Sequence, residues 1–428
     1  IKIMNENYNI FINKKILIYG IGKSGISTFN FLKKNNKISL FDDNKKIRID
    51  KISRKIITSS SKIQKSKFDI IILSPGIDIN KCKLKKFLKK NLKIIYTDLD
   101  VFYSFYHNLC ITITGTNGKS TTCQLLYEVL KKQGLDVKLA GNIGYPILSI
   151  KKIKRKSIFV IEASSYQLEY SKLFNSKYAA ILNISADHLD RHKTLKNYIS
   201  AKFKLIKNQK NNSVAFINKH DFYINAKIKK KNNFKSKIVR VNTKLNHKFL
   251  KIINNNYFLS LSNRENLSFV LEISKKFKVK KNTLINVIKK FKGLKYRQQI
   301  VFNSKNISII NDSKSTSYSS SLEMLKGLNN IYWLLGGLPK KGDKLNLSKI
   351  YYKNIKGFIF GKNYKKFSLD LKNKIEFKKF SNLKEALNGV LQDIKKDNSN
   401  KKTILFSPAA ASFDSFKNFE DRGLSFEK

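Results

Sequence analysis

The sequence predicts an α/β protein of three domains: a Rossmann-like N-terminal domain, a central P-loop domain with a mostly parallel sheet, and a Rossmann-like C-terminal domain. Three observations predict this. Short apolar, β-branched runs recur along the chain, and most end at Gly, Ser or Asp with helical patterns between them, the rhythm of βαβ units. Two of these runs feed glycine turns that open helices, at Gly20–Gly25 and Gly115–Lys119. The chain has 428 residues, 41% of them hydrophobic, enough for two to four cores.

The first domain spans residues 1–102. Residues 14–20 read as a strand running into Gly20-Ile21-Gly22-Lys23-Ser24-Gly25, and a second strand, Ile38 to Phe41, ends at Asp42 and Asp43. An acid about 20 residues after a G-x-G-x-x-G turn is the dinucleotide-binding arrangement. Taken alone it suggests NAD, although a lone glycine fingerprint marks the fold more than the ligand. Phe68 to Leu73 reads as a further strand entering Ser74-Pro75-Gly76.

The second domain spans residues 103–295. Cys110 to Ile113 reads as a buried strand, and Leu125, Leu126, Val129 and Leu130 share one face of the helix that follows. Between them lies Thr114-Gly115-Thr116-Asn117-Gly118-Lys119-Ser120-Thr121. Backbone N–H groups, the helix dipole and glycines that admit close approach make such a turn a phosphate cradle. Lys119 supplies positive charge to the β/γ-phosphates, and the Ser120 hydroxyl suits Mg²⁺. Ile113 stands where the usual form has its first glycine, so this is the shorter G-x-x-G-K-S-T. Strand-like runs Ser157–Ile161 and Ala179–Ile184 end near Glu162 and near Asp187 and His188. Those are the strand ends where open α/β sheets bind ligands. Residues 227–256, rich in Lys and Asn, read as exposed loops and edge strands, and a helical pattern over 264–291 returns to the core.

The third domain spans residues 296–428 and starts near Tyr296 and Arg297. Ile307–Ile310 leads into Asn311-Asp312-Ser313-Lys314, Tyr332–Leu335 into Gly336-Gly337, Phe358–Phe360 into Gly361, and Thr403–Phe406 into Ser407-Pro408.

Composition narrows the class. No apolar run approaches the ~20 residues of a membrane span, and Asn and Lys interrupt the first residues before any signal-peptide core forms. No membrane insertion and a cytoplasmic location are the expectations. Cys82, Cys110 and Cys123 are odd in number and fit no metal spacing, so the thiols are expected to be reduced and Cys110 and Cys123 buried. The net charge of +58 is spread along the chain with heavy use of Ile and Asn, a compositional bias more than a nucleic-acid stripe. The expectation is no nucleic-acid partner and a basic surface that attracts polyanionic small substrates. Monomeric behaviour is expected.

Taken together, the phosphate loop and the motifs Glu162–Leu168, Asn183–Arg191, Asn263–Asn266, Asn311–Thr316 and Ser407–Ser412 resemble the Mur ligase family over essentially the full length. Within it the chain is most similar to the branch that joins D-glutamate to UDP-N-acetylmuramoyl-L-alanine. The short first domain and the stretch Ser407 to Glu420 carry that similarity. The resemblance implies ATP-driven amide synthesis through an acyl phosphate, a reaction among anions that needs concentrated positive charge.

The resemblance also implies residue roles. Lys119, Glu162, His188 and Lys202 are the catalytic group. Gly115, Thr116, Asn117, Gly118, Lys119, Ser120, Thr121, Asn263, Asn266, Arg297 and Asp312 bind ATP. Ser120 and Glu162 hold a first Mg²⁺, and His188 helps hold a second. Lys202 matches a lysine that is carbamylated in the family, so that it serves the metal site as a carboxylate. Gly22, Lys23, Ser24, Gly25, Asp42, Ser74, Pro75 and Gly76 form the uridine diphosphate site, displacing the NAD reading. Asn142, Ser164 and Gln167 hold the muramoyl-alanine arm. Lys314, Thr316, Lys340, Ser412 and Phe419 form the D-glutamate pocket, two lysines and a hydroxyl suiting a dicarboxylate.

Other readings stay open on the residues alone. His188 reads as a capping or core histidine, Lys202 as a solvated helix-face charge, and Phe413 and Phe419 equally as core packing. His188 and His192 are four apart, as zinc ligands can be, without the glutamate of H-E-x-x-H. Lys341 competes with Lys340. Another Mur-type or folylpolyglutamate-type ligase, a nucleic-acid-stimulated ATPase and an NAD-binding module are the competing functions.

Overall fold

The computed structural model describes residues 9–44, 57–230, 234–340 and 342–428. They divide into two compact units, Ile1–Leu245 with Glu265–Val287, and Asn246–Arg264 with Ile288–Lys428.

The first unit contains two parallel sheets. Strands β1 (Lys15–Tyr19), β2 (Lys37–Phe41), β3 (Ile70–Leu73) and β4 (Ile95–Tyr96) form one, in the order β2-β1-β3-β4. Strands β5 (Leu109–Thr114), β6 (Val137–Gly141), β7 (Ile158–Glu162), β8 (Tyr178–Ile181), β9 (Val214–Asn218) and β10 (Lys237–Val241) form the other, in the order β10-β9-β8-β5-β7-β6. The central β5 carries Cys, Ile and Thr, is buried on both faces, and reads as an unbroken β-branched run for that reason. The helix Lys119–Lys132 lays Leu125, Leu126, Val129 and Leu130 into the core, all four fully buried. The strand order reverses about β5, so the loops after β5, β7 and β8 share one edge, where ligands of open α/β sheets bind.

The second unit holds β11 (Gln299–Asn303), β12 (Ile307–Asn311), β13 (Ile331–Gly336), β14 (Ile355–Phe360), β15 (Glu376–Phe380) and β16 (Lys402–Phe406), in the order β11-β12-β16-β13-β14-β15. Only β11 runs antiparallel to its neighbour among these described strands.

Several expectations needed correction. The run Ala179–Ile184 leaves the sheet at Ile181, because Leu182 and Asn183 turn toward the phosphate loop. Residues 227–256 are more regular than their composition suggests. Among the described ones are the end of the helix Phe222–Lys230, the edge strand β10 and the helix His247–Ile253, whose Asn246 side chain caps Lys248 N. The single helical pattern over 264–291 is two helices, Leu261–Lys275 and Lys281–Lys290, parted at Lys278, whose φ is +49°. The cysteines are free thiols, with Cys110 and Cys123 buried as expected and Cys82 half-buried.

Candidate active site

The phosphate loop is held from outside. Gly118 takes φ +81° at the start of the helix, and a Cβ there would lie 2.0 Å from Asn266 Oδ1. Only glycine satisfies both constraints. Thr116 N and Asn117 N donate to Asn183 Oδ1 at 3.1 and 2.9 Å, and the Thr116 hydroxyl meets Tyr198 OH at 3.2 Å. The Lys119 ammonium curls over the loop and donates to the carbonyls of Gly115 and Thr116 at 3.0 and 2.8 Å. The Ser120 hydroxyl donates to Glu162 Oε2 at 2.6 Å, and Thr121 beside it is buried. Glu162 is the last residue of β7 and is buried, with Asn142 Nδ2 on its other oxygen at 2.9 Å. Two oxygen donors so close to a phosphate loop suit Mg²⁺, which is commonly held by one or two carboxylates together with substrate phosphates.

After Glu162 the chain enters a capping box. Ser164 Oγ accepts from Gln167 N, and Gln167 Oε1 accepts from Ser164 N and Oγ. Gln167 is buried and its amide is engaged on both sides, while Ser164 stays half-exposed.

The turn after β8 carries His188 in the left-handed conformation, φ +54°. His188 stands at the start of the short helix Leu189–His192 but makes no side-chain cap bond there. Its imidazole is 40% exposed and lies 3.3 Å from Asp187 Oδ2, so neither the capping nor the core reading holds. His192 Nε2 is bonded to Ser165 Oγ at 3.0 Å, which leaves no zinc pair with His188. Burial, then Arg191, His188 and Lys202, hold its pKa down at about 4, so it is neutral at physiological pH.

Lys202 is the clearest departure from a solvated helix-face charge. It is 1% exposed, donates to Gly115 O at 2.7 Å and lies over the Tyr198 ring. Burial pushes its pKa well below the usual lysine range, and the Lys119 charge adds to this while Asp187 and Glu162 oppose it. Burial makes the amine give up its proton more readily, and the neutral amine is the form from which a lysine adds CO₂. Lys119, Glu162, Asp187 and Lys202 therefore share one electrostatic neighbourhood.

The first glycine turn is built differently. Gly20 has φ +98°, and a Cβ on Gly25 would lie 1.9 Å from Gly20 O. Asp42 Oδ2 accepts from Ile21 N at 2.7 Å and Ser74 Oγ donates to Gly20 O at 2.7 Å, so both brace the turn. Gly22 and Gly76 face open space, and Lys23 is exposed. Pro75 O accepts from the buried Arg191 guanidinium at 3.0 Å, tying the Ser74–Gly76 loop to the His188 turn.

In the second unit, Asp312 follows β12, is buried, and accepts from Gln298 N and Ser407 Oγ at 3.1 and 2.9 Å. Burial raises its pKa to about 7 against the opposing charge of Arg297. Asn263 is buried and donates to Tyr257 O and Gln298 Oε1 at 2.9 and 3.1 Å. Lys314 Nζ lies 3.7 Å from the centre of the Phe419 ring. Leu338 and Ala411 exchange both backbone hydrogen bonds, which sets the Lys340 loop beside Ser412. Ser412 is buried, Thr316 half-buried and Lys340 exposed, while Lys341 lies outside the described residues. Phe413 is 73% exposed, which removes its core reading, and Phe419 is half-buried. These segments follow β12, β16 and β13, neighbours in the sheet, so one edge collects them.

Residue-by-residue reading missed several groups. Asn183 and Tyr198, which brace the phosphate loop, carry no signal in spacing alone. Arg422 is fully buried and donates to Ser313 O at 2.7 Å and Ser313 Oγ at 3.2 Å, and burial lowers its pKa to about 10. Its position two residues after Glu420 was the available clue.

Residues 113–288 match the Mur ligase middle domain, and residues 14–96 match the N-terminal domain described as Mur ligase MurD-like. A UDP-N-acetylmuramoylalanine--D-glutamate ligase of Rickettsia prowazekii (strain Madrid E) is 36% identical over 440 residues, covering 98% of each chain. One from Buchnera aphidicola subsp. Schizaphis graminum is 38% identical over 442 residues, covering 99% of this chain and 98% of its own. Among solved structures, MurF of Thermotoga maritima in complex with ADP superimposes with a TM-score of 0.56 at 13% identity, over 98% of both chains. MurF from Acinetobacter baumannii gives 0.56 at 15% identity over 75% of this chain and 76% of its own. These two likenesses speak to the fold.

Proposed function

This chain belongs to the Mur ligase family, and from that premise we propose that it joins D-glutamate to UDP-N-acetylmuramoyl-L-alanine with ATP, forming an amide bond in peptidoglycan precursor synthesis. The observation that carries the reading is the arrangement of Lys119, the Ser120–Glu162 pair at 2.6 Å and the buried Lys202 about one phosphate loop. The relatives' names supply the substrates.

In this reading the protein is a cytoplasmic monomer of three domains, 1–102, 103–295 and 296–428. The first boundary falls inside the helix Asp98–Phe105. Among the described residues no helix is long and apolar enough to cross a membrane. Gly115 to Thr121, with Asn263, Asn266, Arg297 and Asp312, bind ATP. Ser120 and Glu162 hold Mg²⁺, with His188 at a second ion. Bound Mg²⁺ supplies Lewis-acid neutralisation of phosphate charge. Gly22 to Gly25, Asp42 and Ser74 to Gly76 hold the uridine diphosphate. Asp42 and Ser74 act there by fixing the turn. Asn142, Ser164 and Gln167 hold the muramoyl-alanine arm, and Lys314, Thr316, Lys340, Ser412 and Phe419 take D-glutamate.

The substrate carboxylate attacks the γ-phosphorus of ATP, breaking its bond to the β–γ bridging oxygen and giving an acyl phosphate and ADP. The D-glutamate amine then attacks the acyl carbon, and phosphate leaves as the amide forms. Lys119 holds charge on the transferring phosphoryl group, so its contribution is electrostatic and positional. Carbamylation of Lys202 would turn a buried amine into an anion beside the residues that would hold Mg²⁺. This predicts a carbamate carbon signal from ¹³C-bicarbonate that Lys202→Ala lacks, and partial rescue of that variant by short carboxylic acids.

The deciding experiment is phosphate release from ATP and Mg²⁺ with UDP-N-acetylmuramoyl-L-alanine, comparing D-glutamate, L-glutamate and no amino acid. Release that requires D-glutamate supports the reading. Release supported equally by other amino acids or by none rejects this substrate set.

A further inference from the structure

Asp98 opens the helix Asp98–Phe105, and its carboxylate is buried. The helix does not need that carboxylate as a cap. Thr97 and Asp100 already form the capping box, with Thr97 N and Oγ1 donating to Asp100 Oδ2 at 2.9 and 3.1 Å. Asp100 also anchors the neighbouring segment, taking Ser171 Oγ and the backbone N–H groups of Lys172, Leu173 and Phe174 on its other oxygen at 2.8–3.0 Å. Asp98 is supported far less. Its Oδ1 accepts from Leu99 N at 3.0 Å and Gln167 Nε2 at 3.5 Å, and the Ser24 side chain stands beside it and favours its charged form.

Those two neighbouring side chains come from the two segments assigned above to the uridine nucleotide substrate. Ser24 lies in the first turn of the helix that leaves the first glycine turn, and Gln167 holds Ser164 through its Oε1. We propose that Asp98 is a positioning residue for the uridine nucleotide substrate. Its carboxylate ties the turn that takes the diphosphate to the capping box that takes the muramoyl-alanine arm, and so fixes their spacing. This rests on the substrate reading given above.

The electrostatics around Asp98 agree with a functional acid. Burial raises its pKa to about 6; the Gln167 and Leu99 donors oppose the rise, and the like charge of Asp100 adds to it. The helix Lys23–Leu32 presents the Ser24 hydroxyl, with Lys23 exposed to solvent. The helix Ser165–Tyr170 presents the Gln167 amide, while Glu169 pairs with Arg191 at 3.5 Å. The nearby turn Ile147–Ser149 carries no charge. A carboxyl whose folded pKa is raised favours folding when protonated. Its cost enters as pH rises from the ordinary carboxyl range through about 6. At neutral pH the fold therefore carries a buried charge that an uncharged side chain would spare it.

The test is calorimetric titration of UDP-N-acetylmuramoyl-L-alanine and, separately, of ADP into wild type and Asp98→Asn at pH 7.5 and 5.5, with thermal melts of both proteins. At pH 7.5 the variant should bind the uridine nucleotide about tenfold more weakly, as loss of a charged acceptor predicts. It should keep its ADP affinity and melt no lower than wild type. Wild type should lose uridine-nucleotide affinity between pH 7.5 and 5.5, and the variant should not. Equal uridine-nucleotide affinity in the two proteins at pH 7.5 overturns the inference. So does a parallel loss of ADP affinity and melting temperature, which marks a merely structural carboxylate. If the variant does not fold, a wild-type affinity that is flat over this pH range overturns it alone. Wild type that binds ADP but no uridine nucleotide overturns the substrate reading instead.

Discussion

Gly20–Gly25 and Gly115–Lys119 occupy equivalent places, each between a parallel strand and a helix, yet they are braced in opposite ways. The first closes on itself and its own sheet. Gly25 sits against Gly20 O, Ser74 Oγ donates to the same carbonyl, and Asp42 caps Ile21 N. The acid at the strand tip is thus used on the turn's own backbone. The second is braced by Asn183, Tyr198 and Asn266. That leaves its strand-tip acid, Glu162, facing the Ser120 hydroxyl, with two lysines at the loop carbonyls. A glycine turn whose acid is occupied by backbone is suited to binding. One whose acid faces a hydroxyl and shares its loop with two lysines is suited to phosphoryl chemistry.

Substitutions at the two turns should separate these roles. Gly25→Ala meets backbone 1.9 Å away, so the first sheet cannot close on its helix. A loss of more than ~4 kcal/mol is expected in chemical denaturation, and a variant as stable as wild type would break the self-bracing account. Lys119→Ala should leave the melting temperature nearly unchanged and lower phosphate release about 10³-fold, the scale of one lost charge-stabilising group. Activity near wild type would remove Lys119 from the chemistry.

The surroundings of the second turn predict a pH effect of their own, opposite in sign to that of Asp98 beside the first. His192, packed on Tyr198, has a folded pKa of about 4 against 6.5 unfolded. Between those values the unfolded chain takes the proton first, so stability falls as pH drops from about 6.5 to 4. About 1–2 kcal/mol is expected after solvent screening. Melts of wild type and His192→Gln across this range should converge at low pH, and parallel curves would refute the assignment. The smallest structural effect is expected at Gly22→Ala, whose Cβ meets nothing within 4 Å. Its stability should stay within ~0.5 kcal/mol of wild type, while KM for the uridine nucleotide rises. An unchanged KM would mean that the open face of that turn is not where the substrate lies.

Much of the fold was legible because burial writes itself into composition. β1, β5, β7, β13 and β16 are buried apolar or β-branched runs, and each was anticipated within one or two residues. The strands passed over are of two kinds: β9, Val-Ala-Phe-Ile-Asn, is apolar and buried and was missed all the same, while others lie exposed at sheet edges. β15 reads Glu-Phe-Lys-Lys-Phe, and β11 is exposed along most of its length, because edge strands keep charge and solvent contact. Phosphate-loop residues were legible too, since the chemistry dictates Gly, Lys and Ser at fixed spacing.

Lys202 was not legible in that way. Nothing local distinguishes it from the other lysines of a chain with 87 Lys and Arg, and only the packing of its helix against β8, with the amine reaching Gly115 of the loop, makes it a buried, pKa-depressed amine. The same holds for Asp98 and Asp100. They lie two residues apart on one helix, one a fully supplied structural anchor and the other bonded to Gln167 with Ser24 beside it. By itself the sequence determined the α/β pattern of mostly parallel strands, the phosphate loop and the order of the motifs, because backbone conformation, burial and phosphate binding act over a few consecutive residues. The tertiary structure alone decided which lysine is dry, which acids brace backbone and which face a hydroxyl. Desolvation and hydrogen-bond partners come from segments tens of residues away.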